Sequence, residues 1–180
     1  MSAGDTLGLR IAEGRVPADW IDYNDHMNVA YYVLAFDYAI DALWARIGIT
    51  EEYIGRTQGS TFAAETHVRY LAELRVEDPY FVTMELIAYD RKRIHQLQRM
   101  YHADNGYLAA TAEWMSLHVD LRKRRVTQWP DFAMDELAAI AREQRDLAMQ
   151  ATTYDLCGRI RVRTPEFDIY DRTMLSQEDT

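Results

Sequence analysis

Residues 20–28 form a short polar segment whose side chains could carry out acyl transfer. Asp22 could attack a carbonyl carbon as a nucleophile or activate water as a general base. A long apolar segment follows, and the N–H groups that begin a helix lack intrahelical partners and can bind a developing oxyanion. His26 is predicted to orient the loop through hydrogen bonds rather than to transfer a proton. The predicted oxyanion donors are the N–H groups of Asn28, Val29 and Ala30.

Other carboxylates compete with Asp22 for the role of base. Asp37 and Asp41 are four residues apart on the following helix, where they share one thin stripe, which favours a wet edge or a dimer seam. Glu65 is either a second active-site acid or an outward strand residue. We expect no metal site and no cofactor, because the histidines on the predicted strands lack a short ligand spacing. These histidines are His67, His95, His102 and His118.

Residues 29–49 are predicted to form a buried helix. The segment is apolar apart from the stripe of Asp37 and Asp41 and from Arg46, whereas a surface helix would show a broad polar face. These charges argue against a membrane-spanning helix, since each costs about 2.5–3.5 kcal/mol at a bilayer centre. We therefore expect other elements to cover the helix on nearly all sides.

Four downstream segments are rich in β-branched and aromatic residues and predict long strands. They are residues 61–71, 80–89, 94–102 and 107–119. Asn105 and Gly106 supply a tight hairpin turn, so an antiparallel meander is the simplest connection, and a fifth strand is expected within residues 8–21. The edge of such a sheet is exposed in a monomer, which predicts a homodimer or homotetramer joined by edge pairing.

The rest of the chain predicts a second helix over residues 131–150, with Asp131 at its N-cap and a broad polar face on the outside. Residues 1–150 thus predict a single domain of the α+β class, in which a long antiparallel sheet wraps around a central helix. Residues 151–180 form a C-terminal extension. Within it, residues 158–164 predict a short edge strand or an ordered tail.

The polar loop resembles that of hotdog-fold acyl-CoA thioesterases of the 4-hydroxybenzoyl-CoA thioesterase type. Many members carry Asp-x-x-Gly-His-Val-Asn-Asn before the central helix, and the corresponding string is DYNDHMNV at residues 22–29. The Asp, the His and the first Asn agree, while Asp25 replaces the usual Gly and Val29 the second Asn. The resemblance extends to about residue 121. It implies a hotdog fold and an acyl-CoA thioesterase with Asp22 as base or nucleophile.

Within this family, DYNDHMNVAYY at residues 22–32 resembles the DYNxHMNxAYY of a subgroup associated with carnitine breakdown, which includes betainyl-CoA thioesterases. The resemblance implies a small acyl-CoA substrate, with betainyl-CoA as one candidate. Aromatic faces bind quaternary ammonium groups by cation–π attraction, and the chain has 12 Tyr and 4 Trp. The aromatic candidates are Trp20, Tyr23, Tyr31, Tyr32 and Trp114, of which Tyr23 and Trp114 are the predicted substrate contacts.

Coenzyme A carries phosphates, which need cations for binding. Arg91, Lys92 and Arg93 lie between two predicted strands, where similar hotdog thioesterases place residues that meet the nucleotide. Two other functions stay open at this point. One is a hotdog enoyl-CoA hydratase, whose Asp-x-Asn-Pro-x-His loop is similar in type, and the other is a non-catalytic acyl-CoA-binding protein.

The composition fits a cytoplasmic enzyme. The chain has 180 residues, 48% of them hydrophobic, and a formal net charge of −9, which argues against nonspecific binding to nucleic acid or an anionic membrane. The single Cys157 forms no intramolecular disulfide. Asp5, Arg10, Glu13 and Arg15 stand where a secretory signal would have an apolar core. We therefore expect acyl-CoA as the partner molecule, with neither nucleic acid nor membrane.

Overall fold

The structure, a computed structural model, describes residues 8–148 and 167–168. In chain order its elements are β1 (Leu9–Arg15), a 3₁₀ helix (Ala18–Trp20), α1 (Val29–Arg46), α2 (Glu51–Thr57), β2 (Gly59–Tyr70), β3 (Pro79–Tyr89), β4 (Arg93–His102), β5 (Leu108–Asp120), β6 (Arg125–Val126), α3 (Asp131–Ala148) and β7 (Phe167–Asp168). The predicted long strands and both predicted helices are present. The strand expected over 158–164 lies outside the described residues.

All strand pairs are antiparallel, in the order β1-β3-β4-β5-β2, with β6 beside β5 and β7 beside β3. The predicted meander is right for β3, β4 and β5, where Gly106 turns with φ +72°. It is wrong for β2, which lies beyond β5 at the sheet margin. The middle of β2 is exposed, as suits an edge strand, whereas β3 and β4 are buried along nearly their whole length.

Helix α1 covers the concave face of this sheet. Its buried residues recur at intervals of three and four, as they do on one face of an α-helix. They pack against sheet residues that include Val82, Met100, Ala112 and Trp114. The buried residues of α1 are Tyr32, Ala35, Phe36, Ala39, Ile40 and Leu43.

The opposite face of α1 is open to solvent in the single chain. Tyr38 is 61% exposed and Val29 is 55% exposed, while Asp37 and Asp41 are also exposed. The prediction that α1 is covered on nearly all sides is therefore wrong for one chain, because the sheet curves around only one side of the helix. This face carries both apolar and acidic side chains and has no cover among the described residues.

Two further helices close the far end of the core. Helix α2 was not predicted, and it begins at Thr50, whose hydroxyl accepts from the Tyr53 N–H at 3.3 Å. Helix α3 packs Leu137 and Ile140 against the end of α1, and its Gln144 side chain bonds to the backbone of β3. None of the described helices is long and apolar enough to cross a membrane. The predicted α+β hotdog architecture is confirmed.

Candidate active site

The loop before α1 is a closed hairpin built by main-chain hydrogen bonds. Ile21 and Met27 form an antiparallel bridge, and the Asp22 N–H donates to the His26 carbonyl at 3.1 Å. The buried Met27 fixes this hairpin to the core, because its N–H donates to the Leu74 carbonyl at 2.7 Å. The loop is thus held in one geometry by the segment that joins β2 to β3. Leu74 acts through its backbone, so no side-chain pattern in the sequence indicates its role.

Asp25 occupies the tight turn of this hairpin with φ +61°, in the left-handed region. Its N–H donates to the Asp22 carbonyl at 3.1 Å. Glycine enters this region without steric cost, and Asp and Asn are among the other residues that tolerate it. The departure from the usual Gly at this position therefore leaves the loop conformation intact.

The Asp22 carboxylate lies near the base of the turn, with a side chain that is 15% exposed. Its Oδ1 accepts a hydrogen bond from the Asn24 N–H at 2.8 Å. Its Oδ2 accepts none from the described residues and is left for a ligand or water. The side chain is therefore oriented through one oxygen while the other remains available for chemistry.

His26 is half-buried beside Asp22 but makes its closest contact elsewhere. Its Nδ1 lies 3.3 Å from the Met27 carbonyl oxygen and 4.0 Å from Asp22 Oδ1. The contact with the carbonyl requires a proton on Nδ1, and 4.0 Å is too long for a hydrogen bond with the carboxylate. This geometry fits a role for His26 in positioning the loop.

The start of α1 leaves one backbone donor available. Asn28 is the N-cap, with its side chain accepting from the Ala30 N–H at 3.0 Å, and its own N–H donates to the Trp20 carbonyl at 2.9 Å. Two of the three predicted oxyanion donors are thus already used within the loop. The N–H of Val29 donates to no acceptor among the described residues. It is the donor that an oxyanion at the positive end of the helix dipole would meet.

Aromatic rings surround the beginning of α1. Trp20 and Tyr31 are stacked, with ring centroids 5.3 Å apart and planes at 8°. Tyr32 accepts from the Leu74 N–H at 3.0 Å, and burial raises the pKa of its phenol. Tyr70 donates to the Val29 carbonyl at 3.3 Å. These contacts fix the first turn of the helix from both sides.

The two predicted substrate contacts lie in different environments. Tyr23 is 94% exposed at the tip of the hairpin. Trp114 is 8% exposed and packs under α1 in the cluster that contains Tyr32 and Phe36. The loop residue is accessible to a bound acyl group, whereas Trp114 belongs to the packed core of the single chain.

The basic triplet lies at the other end of the sheet. Arg91 pairs with Asp131 at 2.8 Å and Arg93 with Asp90 at 2.6 Å, while Lys92 is exposed. The triplet lies in the turn between β3 and β4. Strand β3 has 11 residues, so this turn is about 35 Å from the end of the sheet next to Asp22. One chain therefore does not bring these cations to the Asp22 loop.

The rival carboxylates lie away from the loop. Asp37 follows Val29 by eight residues, which is about 12 Å along the helix axis. Partial burial, and then the charge of Asp41, raise the pKa of Asp37. Glu65 is exposed on the edge strand β2, next to a β-bulge. Neither Asp37 nor Glu65 lies next to the start of a helix, where backbone N–H groups are unpaired.

Three of the four histidines on the strands make separate structural contacts. His95 pairs with Glu113 at 2.9 Å, and His118 meets the Tyr53 hydroxyl at 3.1 Å. Burial lowers the pKa of His118. His102 accepts from the N–H groups of the hairpin turn that follows it. Within the part of the chain that the structure describes, no three potential ligands gather to hold a metal ion.

The structure thus places a carboxylate on a closed loop and an unpaired N–H at the start of the helix that packs on the sheet. The model of the thioesterase-like superfamily matches residues 16–137, which is more than half of the chain. The chain belongs to this superfamily.

Two relatives of this chain carry names that include betainyl-CoA thioesterase. A betainyl-CoA thioesterase of Pseudomonas aeruginosa is 34% identical over 139 residues, covering 77% of this chain and 87% of that protein. An L-carnitine dehydrogenase/betainyl-CoA thioesterase of Rhizobium meliloti is 37% identical over 133 residues, covering 74% of this chain. The chain spans 27% of the length of this second relative.

A solved structure supports the fold. A hypothetical protein from Staphylococcus aureus in complex with CoA superimposes with a TM-score of 0.75 at 24% identity. The match covers 87% of this chain and 98% of that one. At this identity the likeness establishes a shared fold.

Proposed function

We propose that the protein is an acyl-CoA thioesterase that hydrolyses a small acyl-CoA to the free acid and CoA. The observation that carries this proposal is the presence of the free Asp22 Oδ2 on the closed hairpin and of the unpaired Val29 N–H at the start of the helix that follows it. A carboxylate supplies the base or nucleophile, and the N–H stabilises the charge that develops on the thioester oxygen.

The steps follow from these two groups. In one route Asp22 takes a proton from water as the water oxygen attacks the thioester carbon. In the other, Asp22 attacks the carbon itself and water later cleaves the anhydride. In both routes the carbonyl oxygen becomes an oxyanion that accepts a hydrogen bond from the Val29 N–H. The carbon–sulfur bond then breaks and releases the CoA thiolate, which takes up a proton. Both routes need the same carboxylate.

Betainyl-CoA is the proposed substrate. The relatives named betainyl-CoA thioesterase support it, as does the string DYNDHMNVAYY in the loop. The stacked rings of Trp20 and Tyr31 and the exposed ring of Tyr23 offer aromatic faces beside the loop. Such faces attract a quaternary ammonium group by about 0.5–2 kcal/mol. Trp114 is packed beneath the helix and offers no accessible face to this group in the single chain.

We also propose that the enzyme is a homodimer or a homotetramer built by pairing of two β2 strands. Strand β2 is a 12-residue edge strand with exposed Phe62 and Tyr70. An unpaired edge of this length is a template for association. The start of α1 contacts the Tyr70 end of this edge, so the same association would cover part of the exposed face of α1.

Antiparallel pairing would complete the substrate site. The Tyr70 end of β2 lies near the start of α1, while the Gly59 end lies with the β3–β4 turn. In an antiparallel pair these two ends lie side by side. The partner subunit's Lys92 would then lie at the same end of the joined sheet as Asp22, where the CoA phosphates need cations.

The cytoplasmic location remains a prediction from the sequence.

The test is thiol release from a panel of acyl-CoAs that includes betainyl, short aliphatic and aromatic esters, with the Cys157 background subtracted. We expect wild type to release CoA and to prefer betainyl-CoA. Loss of enoyl-CoA absorbance without thiol release would favour the hydratase. Tight binding without turnover would favour the non-catalytic acyl-CoA-binding protein.

The phosphate contact has its own test. Lys92→Ala should raise KM about fivefold and leave kcat nearly unchanged, because the lost contact is made equally in ground and transition states. Arg10→Ala on β1, at the opposite margin of the sheet from β2, is the matched control and should leave both constants unchanged. An equal rise in KM in the two variants would show only an effect of net charge.

A further inference from the structure

The sheet has a second face, which we call the outer face, on the side away from α1. Directly paired residues of antiparallel strands project from the same side, so the register identifies its members. Thr83 lies opposite Arg99, Leu97 lies opposite both Glu85 and Glu113, and His95 lies opposite Met115. The outer face is therefore made mainly of polar and charged residues.

These charged residues are deeply buried. Arg99 is 0% exposed and Glu113 is 1% exposed. Arg99 pairs with Glu85 at 2.7 Å, and Glu113 pairs with His95 at 2.9 Å. Burial of charged side chains is tolerated when each one is paired, and none of Glu85, Arg99 and Glu113 lacks a partner. Such exclusion of water requires a cover over this face.

The described helices do not supply that cover. Helices α1 and α3 pack against the other face, through clusters that contain Val82, Met84, Leu86 and Met100. The outer face instead has a separate small apolar cluster of Ala88, Met115 and Leu117. The described residues thus leave the covering segment unaccounted for.

We propose that the C-terminal extension of the same chain, residues 149–180, covers the outer face. Strand β7, at residues 167–168, pairs with Ala88 and Tyr89 of β3, so the extension returns to the sheet beside this face. Eighteen residues separate Ala148 from Phe167 and can span up to about 60 Å. Five strands are about 24 Å wide, so this length suffices to cross the sheet and return.

The charge and the alternating pattern of the C-terminal extension are complementary to the outer face. Arg159, Arg161 and Arg163 alternate with Ile160 and Val162 in the extension. The arginines match the carboxylates of the outer face, and the apolar residues match its small apolar cluster. A covered outer face is not available to a second copy of the chain. Association is then restricted to the β2 edge and the exposed face of α1.

Photocrosslinking tests which segment covers the face. Benzoylphenylalanine in place of Leu117 should crosslink within one chain to peptides from residues 149–180. The same result is expected in a second variant with the group in place of His67, which lies opposite Glu113 on the outer face. The same group in place of the exposed Tyr38, on the helix side, is the matched control and should yield none of these peptides. Crosslinks from positions 117 and 67 to a second chain, or to no segment, would overturn the proposal. Equal capture of the extension from Tyr38 would do so as well.

A charge test assigns the contacts. Replacing Arg159, Arg161 and Arg163 together with Ala should lower Tm by about 5 °C or more, because buried carboxylates lose partners. The matched control removes three exposed charges of the β5–β6 turn, Arg122, Lys123 and Arg124, and should leave Tm almost unchanged. Equal Tm values in the two triple variants would overturn the assignment of the arginines. Neither experiment depends on thioesterase activity.

Discussion

The loop carboxylate Asp22 and the helix carboxylates Asp37 and Asp41 differ in what surrounds them. Asp22 is oriented by the Asn24 N–H and lies on the hairpin that directly precedes the unpaired Val29 N–H at the start of α1. Asp37 and Asp41 lie exposed, one turn apart, on a helix face that the single chain leaves open. The loop thus combines a base with an electrophilic donor, whereas the helix stripe offers carboxylates alone.

This difference is the reason that the proposed mechanism assigns the reaction to Asp22 and not to the helix carboxylates. A shifted pKa is a common indicator of a functional group, and it would select Asp37, whose pKa burial and Asp41 raise. Rate acceleration, however, comes from groups that bind the transition state better than the ground state. In the proposed mechanism the Val29 N–H would meet that requirement, because it would bind charge that appears only during the reaction.

The largest predicted effect comes from replacing the loop carboxylate Asp22, the proposed base or nucleophile. Asp22→Asn should lower kcat by about 10²–10⁴, because it removes the base or nucleophile. The asparagine oxygen can still accept from the Asn24 N–H, so the fold should persist. The measurement is steady-state thiol release together with the circular dichroism spectrum.

Asp37→Asn and Asp41→Asn are the matched controls for this change. Each should keep kcat/KM within about twofold of wild type, since neither carboxylate has a donor partner. A large loss in Asp37→Asn with normal activity in Asp22→Asn would move the chemistry to the helix.

The second predicted effect removes the donor while keeping the helix start. Val29→Pro deletes the backbone N–H at the first position of α1, where proline is well tolerated. Asn28 has φ −64° and ψ 143°, an extended conformation that suits a residue before proline. Loss of one oxyanion donor typically lowers kcat by about 10²–10³. Stopped-flow or steady-state thiol release would measure it.

Val29→Ala keeps the N–H and is the control for the side chain. It should retain kcat within about threefold, since the valine side chain is 55% exposed. Similar loss in both variants would assign the role to the side chain and leave the oxyanion donor unidentified.

Much of the fold could be predicted from local pattern. The strands over β2 to β5 and, to within one residue, the starts of α1 and α3 follow from hydrophobic periodicity and turn residues, which act within a few residues. The predicted N-cap of α3 is wrong, since Asp131 is the first residue of that helix. The position of β2 beyond β5 could not, because strand order depends on packing between distant segments. The open face of α1 likewise depends on how far one sheet curves around the helix.

The site was predictable in its residue types but not in its donors. The spacing of Asp22, His26 and Asn28 indicates the loop, and Asn28 at the N-cap follows from its amide. The N–H of Asn28 donates to the Trp20 carbonyl, so only the Val29 N–H of the three predicted donors remains unpaired within the described residues. This bond follows from closure of the hairpin, which the Leu74 carbonyl anchors. Backbone carbonyls carry no signature in the sequence.

The third predicted effect concerns the turn that holds Asp22. Asp25→Val should destabilise the fold by about 1–2 kcal/mol, because a β-branched residue is strained at φ +61°. For a chain of this size, that corresponds to a fall in Tm of roughly 2–8 °C. Activity should fall as well, since Asp22 shares this turn. Thermal unfolding and thiol release measure the two effects.

Asp25→Gly is the matched control for the turn. Glycine adopts this conformation without strain but costs about 0.5–1 kcal/mol in unfolded-state entropy, so Tm and kcat should remain close to wild type. A large loss of activity with unchanged stability in this variant would instead give the Asp25 side chain a role of its own.

The smallest predicted effect is the pH dependence of stability that comes from the helix stripe. The folded-state pKa of Asp37 is raised above its ordinary value of 3.8, first by burial and then by Asp41. The folded chain therefore binds this proton more tightly than the unfolded chain. The stability from protonated Asp37 is fully present below pH 3.8 and is lost as the pH rises through the folded-state pKa.

Asp37→Asn removes this titration, so its Tm relative to wild type should increase from acidic to neutral pH. The gain at neutral pH should stay below about 0.5 kcal/mol, because the group is largely exposed and like-charge pairs on a helix surface cost little. Asp41→Asn should recover less of it, since burial is the larger cause of the shift. A Tm difference that is constant with pH would contradict this linkage. The stripe would then affect neither stability nor catalysis, in full contrast to the loop.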